Sequence, residues 1–118
     1  MYKRIYDEIA EETSDHIRRN EVQALAHSIE LMRKAQASGI ETRDAVEAIF
    51  FVSRLWTAFL EDLVSEGNRL PKELKAKIIS IGIWALKYVE ALRQRHKRDF
   101  QPLIDVSQTI LNGLQVIK

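Results

Sequence analysis

Apolar residues recur at spacings of three and four through long stretches of this chain. The stretches are separated by Gly39, by Gly67-Asn68-Arg69-Leu70-Pro71 and by the segment Asp99 to Pro102. Such spacing follows the turn of an α-helix and gathers the apolar side chains on one face. A sandwich or barrel would need alternating strands and frequent turn-formers. Only 4 Gly and 2 Pro occur in 118 residues, which leaves too few turns for that architecture. The chain therefore reads as all-α.

The first helix is predicted over about 15–37. Ser14 stands as its N-cap, Asp15 lies in the first turn, and Ile17, Val22, Leu25, Ile29, Met32 and Gln36 follow along its stripe. Gly39 sits where a left-handed C-terminal cap belongs. Thr42 is placed to cap a second helix over about 43–65. Its core face runs from Ala45 through Ile49, Val52, Trp56, Phe59, Leu60 and Leu63, and a second stripe, Phe51, Leu55 and Ala58, lies beside it. Together the two stripes are wider than the usual apolar face of about 100°. The third helix is predicted over about 71–97, with Pro71 in its first turn. Leu74, Ile78, Ile81, Gly82, Ala85, Val89 and Leu92 trace its core face, with Trp84 and Tyr88 on one flank. Gly82 costs about 1 kcal/mol against Ala within a helix. Its place on the core face suggests a close helix–helix approach, with a kink as the alternative.

The fourth helix spans about 100–113, with Asp99 as cap, Pro102 in the first turn and Gly113 at its end. Short connections make sequential helices antiparallel. The expected fold is a single domain, 1–118: an up-down bundle of about four antiparallel helices, with helices two and three at its centre. A short N-terminal arm, 1–13, precedes it, docked in part through Tyr2, Ile5, Tyr6 and Ile9.

Hydrophobic residues make up 46% and charged residues 30%, a composition that supports a packed core rather than a disordered chain. Cysteine is absent, so the chain has no disulfide, thiolate metal site or thiol nucleophile, and a cytoplasmic location is expected. Met1 to Asp15 carries seven charged residues, unlike a secretory signal. No apolar run approaches the roughly 20 residues that a membrane-spanning helix needs, so no membrane insertion is expected. The net charge of +1 neither requires nor excludes nucleic acid.

Residues that could carry chemistry are sparse. His27 and Glu30 lie three apart, but a di-metal bundle needs Glu-x-x-His on two helices and Glu on two more. Here the order is reversed and there is no second copy. His16 has no comparable partner. Glu61 and Asp62 are adjacent and diverge by about 100° on a helix, so they cannot act as one acid–base pair. There is no glycine-rich phosphate loop, nucleophile elbow or triad spacing. The expectation is a non-enzyme with no cofactor, no metal and no small-molecule substrate.

Two surfaces are candidates for binding. Arg93, Arg95, Lys97 and Arg98 form a basic run that suits RNA, with Phe100 as a lone stacking partner. Their structural alternative is to complement the dipole at a helix end. Phe50, Phe51, Leu55 and Phe59 on helix two, with Trp84 and Tyr88 on helix three, exceed what one helix pair needs. Part of this surface, Phe51, Leu55, Phe59, Trp84 and Tyr88, is the candidate for a groove that takes a partner helix. Burial against two bundle neighbours is the structural alternative.

Four blocks of sequence carry a family likeness. The first is Gln23-Ala-Leu25, Ile29-Glu-Leu31, Ala35-Gln36 and Gly39. The second is Phe51-Val-Ser-Arg-Leu55-Trp56-Thr-Ala-Phe-Leu-Glu61-Asp62-Leu63. The third is Asn68-Arg-Leu70-Pro71-Lys-Glu-Leu74 followed by Ile79-Ser80-Ile81-Gly82-Ile83-Trp84, and the fourth is Asp99-Phe100 with Leu103-Ile104. Over nearly its whole length the chain resembles the FlaF family of flagellar biosynthesis regulators of alphaproteobacteria. It departs from the family in three places, the first being the N-terminal arm, which matches only loosely beyond Met1-Tyr2. The family often has Gly soon after the third helix, where this chain has Arg95-His96-Lys97-Arg98, and often Leu-Arg-Ala where this chain has Leu74-Lys75-Ala76.

The resemblance implies a cytoplasmic, flagellin-binding, chaperone-like adaptor that supports flagellin production and export. Its implied partners are monomeric flagellin and FlbT, a regulator that acts on flagellin messenger RNA. The alternative it implies is a post-transcriptional regulator of that RNA, acting directly or only through FlbT.

Overall fold

The computed structural model describes residues 14–116, with side chains described over 21–114. Four helices make an all-α bundle: α1 (Ser14–Ser38), α2 (Arg43–Leu63), α3 (Lys72–Arg93) and α4 (Gln101–Val116). The expected arm 1–13 and the capping side chain of Ser14 lie outside what is described.

The turn between α1 and α2 follows its local chemistry. Gly39 adopts φ +107°, where an L side chain would be strained, and its N–H donates to the Ala35 carbonyl at 2.8 Å. The Thr42 hydroxyl donates to the Gly39 carbonyl at 2.7 Å and accepts the Ala45 N–H at 3.3 Å. Thr42 is thus the N-cap of α2, as the sequence predicts. α1 and α2 run antiparallel, because His27 meets Phe51 while Lys34, further along α1, meets Asp44 at the start of α2.

The core collects the periodic positions. Leu25 and Met32 from α1, Trp56 and Leu63 from α2, Leu92 from α3 and Leu103 from α4 are all fully buried. At Gly82 an added Cβ would lie 2.7 Å from Leu60 Cδ2 and 3.1 Å from Trp56 Cε3. The close approach expected at this glycine is therefore present, with α3 seated against the side chains of α2.

Several expectations need correction. α1 and α2, not helices two and three, are the central pair. α1 packs on both α2 and α4, α2 packs on α1 and α3, and α3 and α4 touch only sparsely. The reason is a pair of hydrogen bonds that joins α1 to the start of α4. Gln36 Nε2 donates to Asp99 Oδ1 at 2.6 Å, and Gln36 Oε1 accepts the Phe100 N–H at 2.7 Å. The Phe100 side chain is buried beside this joint.

α3 ends at Arg93, four residues short of the predicted 97. There the Arg95 N–H donates to the Leu92 carbonyl at 3.1 Å and the His96 N–H to the Ala91 carbonyl at 2.8 Å, with Arg95 at φ +67°. This is a Schellman motif in which an arginine holds the position that usually goes to glycine. Pro71 is the N-cap of α3 rather than a first-turn residue, because its ψ of 144° is extended. α2 stops at Leu63 with Val64 as its C-cap, two residues before the predicted end. The Phe100 carbonyl accepts the first helical bond of α4, from the Ile104 N–H, so Asp99 lies one residue outside the cap. Asp99 still serves the helix start, since its Oδ1 accepts the Gln101 N–H at 2.9 Å. Gly113 does not end α4, which continues to Val116.

Candidate interaction surface

Five large apolar side chains are exposed among the described residues: Val46, Phe50, Val64, Ile83 and Trp84. All lie on α2, on α3 or just after α2, and none on the described residues of α1 or α4. Phe50 is 63% exposed, with the Arg54 guanidinium 5.5 Å from its ring centroid. It lies two residues before buried Val52, which places it about 200° around the helix from the core face. Ile83 is five residues beyond buried Ile78 and points away for the same reason.

The sequence-predicted partner residues divide into three groups. Trp84 is 38% exposed, and its ring lies 5.3 Å from that of half-buried Tyr88. Phe51 and Leu55 are half-buried, and Phe51 meets the exposed His27 edge-on at 5.0 Å. Phe59 is a correction. It is 3% exposed and stacks on Trp56 at 5.5 Å, so it belongs to the core and offers no surface to a partner. The sequence placed Phe59 on the core face as well, and that placement is what the packing follows. Phe50 was part of the apolar surface read from the sequence, whereas Val46, Val64 and Ile83 were not among the predicted partner residues. Their signal was available in the helical period, as apolar residues standing off the core stripe.

Tyr88 has a second task. Its hydroxyl donates to the Asp99 carbonyl at 2.5 Å and so ties α3 to the connection before α4. Burial, and then the charge of Asp99, raise the phenol pKa, so the donor proton stays on the oxygen.

The basic run is largely occupied in finishing α3. Arg93 clasps Glu90 through two hydrogen bonds, one from Nε to Oε2 at 2.9 Å. The hydrogen bond from Arg93, followed by one from Gln94, holds the Glu90 carboxyl down to about 2. The Arg95 guanidinium donates to the Leu92 and Arg93 carbonyls, each at 3.3 Å. The Lys97 ammonium sits 5.9 Å from the Tyr88 ring centroid, and Arg98 is exposed.

His27 Nδ1 and Glu30 Oε2 are 3.9 Å apart and both side chains face solvent. Among the described residues no group of three or more His, Cys, Asp or Glu is arranged to hold a metal ion. No helix among them is long and apolar enough to cross a membrane. What this surface offers is apolar and aromatic contact on α2 and α3, beside cations at the end of α3.

No curated protein and no solved structure matches the chain. The family model of the flagellar protein FlaF matches residues 2–114, a span that takes in the four sequence blocks and every helix except the last two residues of α4. The chain belongs to the FlaF family of flagellar proteins.

Proposed function

We propose that this protein is a non-enzymatic, cytoplasmic adaptor of chaperone type that binds monomeric flagellin and holds it for export. The observation that carries this reading is that, among the described residues, the exposed large apolar side chains are confined to the α2–α3 half of the bundle. Single exposed apolar residues are ordinary on a protein surface, but segregation of the described ones to one half supports reading that half as an interaction face. An amphipathic partner helix can lay its apolar side there, with anchors spaced three, four and seven residues apart. The terminal segments of flagellin become helical in the filament, and before assembly they are exposed to aggregation. Ordering such a segment opposes binding, so the complex is of modest affinity and reversible. A flagellin-loaded adaptor can also report unexported flagellin to FlbT. Direct action on RNA has less support, because Arg93 and Arg95 are engaged at the end of α3.

Titration calorimetry with purified monomeric flagellin tests the proposal. Phe50→Ala and Trp84→Ala are the variants of choice, since both side chains are exposed and their loss leaves the core intact. Tyr88→Ala is a poor probe, because it also removes the hydrogen bond to Asp99. Aromatic anchors at an interface are commonly worth about 2 kcal/mol or more. Each variant should stay folded by circular dichroism and bind at least tenfold more weakly. Unchanged affinity in both would contradict the proposal.

A further inference from the structure

The charge of this chain is unevenly placed. Residues 69–98, which contain α3, hold nine of the 18 Lys and Arg but two of the 17 Asp and Glu, a local net of +7. The rest of the chain carries −6, so the overall +1 conceals a cationic segment, α3 with its flanks, against an acidic remainder. Lys77, Trp84, Lys87 and Tyr88 stand at relative positions 0, 7, 10 and 11 of α3, which share one face of a helix. The ion pairs among the described residues engage neither Lys77 nor Lys87. Of the two carboxylates on α3, Glu73 lies a turn before Lys77 and Glu90 is clasped by Arg93. Asp99, close to Tyr88, turns its Oδ1 to Gln36 and Gln101. From Lys77 to Lys97 the face is therefore an aromatic pair framed by lysines, with no free carboxylate of α3 upon it.

We infer that this face of α3 is the docking strip for an acidic amphipathic helix, and that the flagellin segment it takes carries carboxylates on both sides of an apolar anchor. The inference rests on the adaptor reading and adds the chemistry of the bound segment. Lys77 and Lys87 are separated by about 15 Å along the axis, at 1.5 Å per residue. Carboxylates ten or eleven residues apart on the partner helix reach both lysines while an apolar side chain between them covers Trp84. Charge complementarity of this kind sets orientation and register and speeds encounter more than it adds affinity. It also makes the complex sensitive to salt.

The test is calorimetric titration of monomeric flagellin, at low and at high salt, into the wild-type protein, Lys77→Glu/Lys87→Glu and Lys77→Ala/Lys87→Ala. Both lysines are exposed, and the alanine pair guards against loss of folding in the reversed pair. The expected result is binding about tenfold weaker in the reversed pair at low salt, intermediate weakening in the alanine pair, and a salt dependence that flattens in both. If wild type binds flagellin and both pairs bind equally well, the strip is overturned and the adaptor reading stands. If wild type binds no flagellin at either salt, both fall. Tighter binding to a single-stranded RNA oligonucleotide or to phosphatidylglycerol vesicles, lost in the reversed pair, would overturn the assignment to a protein helix. Self-association of the protein alone, abolished by the same reversal, would overturn it in favour of a second copy.

Discussion

Two backbone positions near the same helix illustrate how far single residues announce their role. Arg95 occupies the left-handed region at φ +67°, where a side chain costs roughly 1–2 kcal/mol and glycine costs nothing. Arg95→Gly should therefore raise stability by about 1 kcal/mol, less what is lost with the guanidinium bonds to Leu92 and Arg93. Urea denaturation reads this as a higher midpoint at an unchanged slope. Nothing in a run of cations signals a left-handed residue, so the sequence carried the helix on to 97. Gly82 is the opposite case. A glycine on an apolar stripe has few other reasons to be there, and close approach was legible from its position alone. Gly82→Ala gains about 1 kcal/mol of helix propensity but must displace Leu60 and press on the buried Trp56 ring. Overpacking costs about 1–3 kcal/mol and the indole has no room to yield, so the net is a loss of about 1 kcal/mol by the same measurement.

At the scale of elements, the four helices were legible because period and punctuation agree. Thr42 and Gly39 fix the α1–α2 turn by local hydrogen bonds, which a sequence reveals. The order of packing was not legible. It depends on Gln36 reaching Asp99 and Phe100, 63 and 64 residues away, and neither spacing nor propensity encodes such a pairing. That joint seats α4 on α1 and leaves α3 only sparse contact with α4. Gln36→Leu removes the acceptor of the Phe100 N–H and the donor to Asp99 together. An unsatisfied, partly buried N–H costs about 1–3 kcal/mol, so a destabilisation of about 2 kcal/mol is expected in denaturant unfolding. Amide hydrogen exchange should rise first in the opening turn of α4. A loss no larger than that of an ordinary surface substitution would show that α4 is held by its apolar stripe alone.

The whole molecule is a helical bundle of the FlaF family with an unequal surface. α1 and α4 keep their described large apolar side chains inside, whereas α2 and α3 leave several outside. The sequence pointed to α2 and α3 but distributed the residues imperfectly. Phe59 went to the core because it continues the Trp56 stripe, and Phe50 emerged because a step of about 100° per residue carries it away from that stripe. Trp84 was placed correctly as a flank residue, and it is the more informative of the two tryptophans, since Trp56 is fully buried. Tryptophan emission during titration with monomeric flagellin is therefore the most direct measurement of the proposed surface. The account predicts a saturable blue shift in the wild-type protein, absent in Trp84→Phe, as the indole leaves water. An emission spectrum that stays unchanged while flagellin is bound would contradict it.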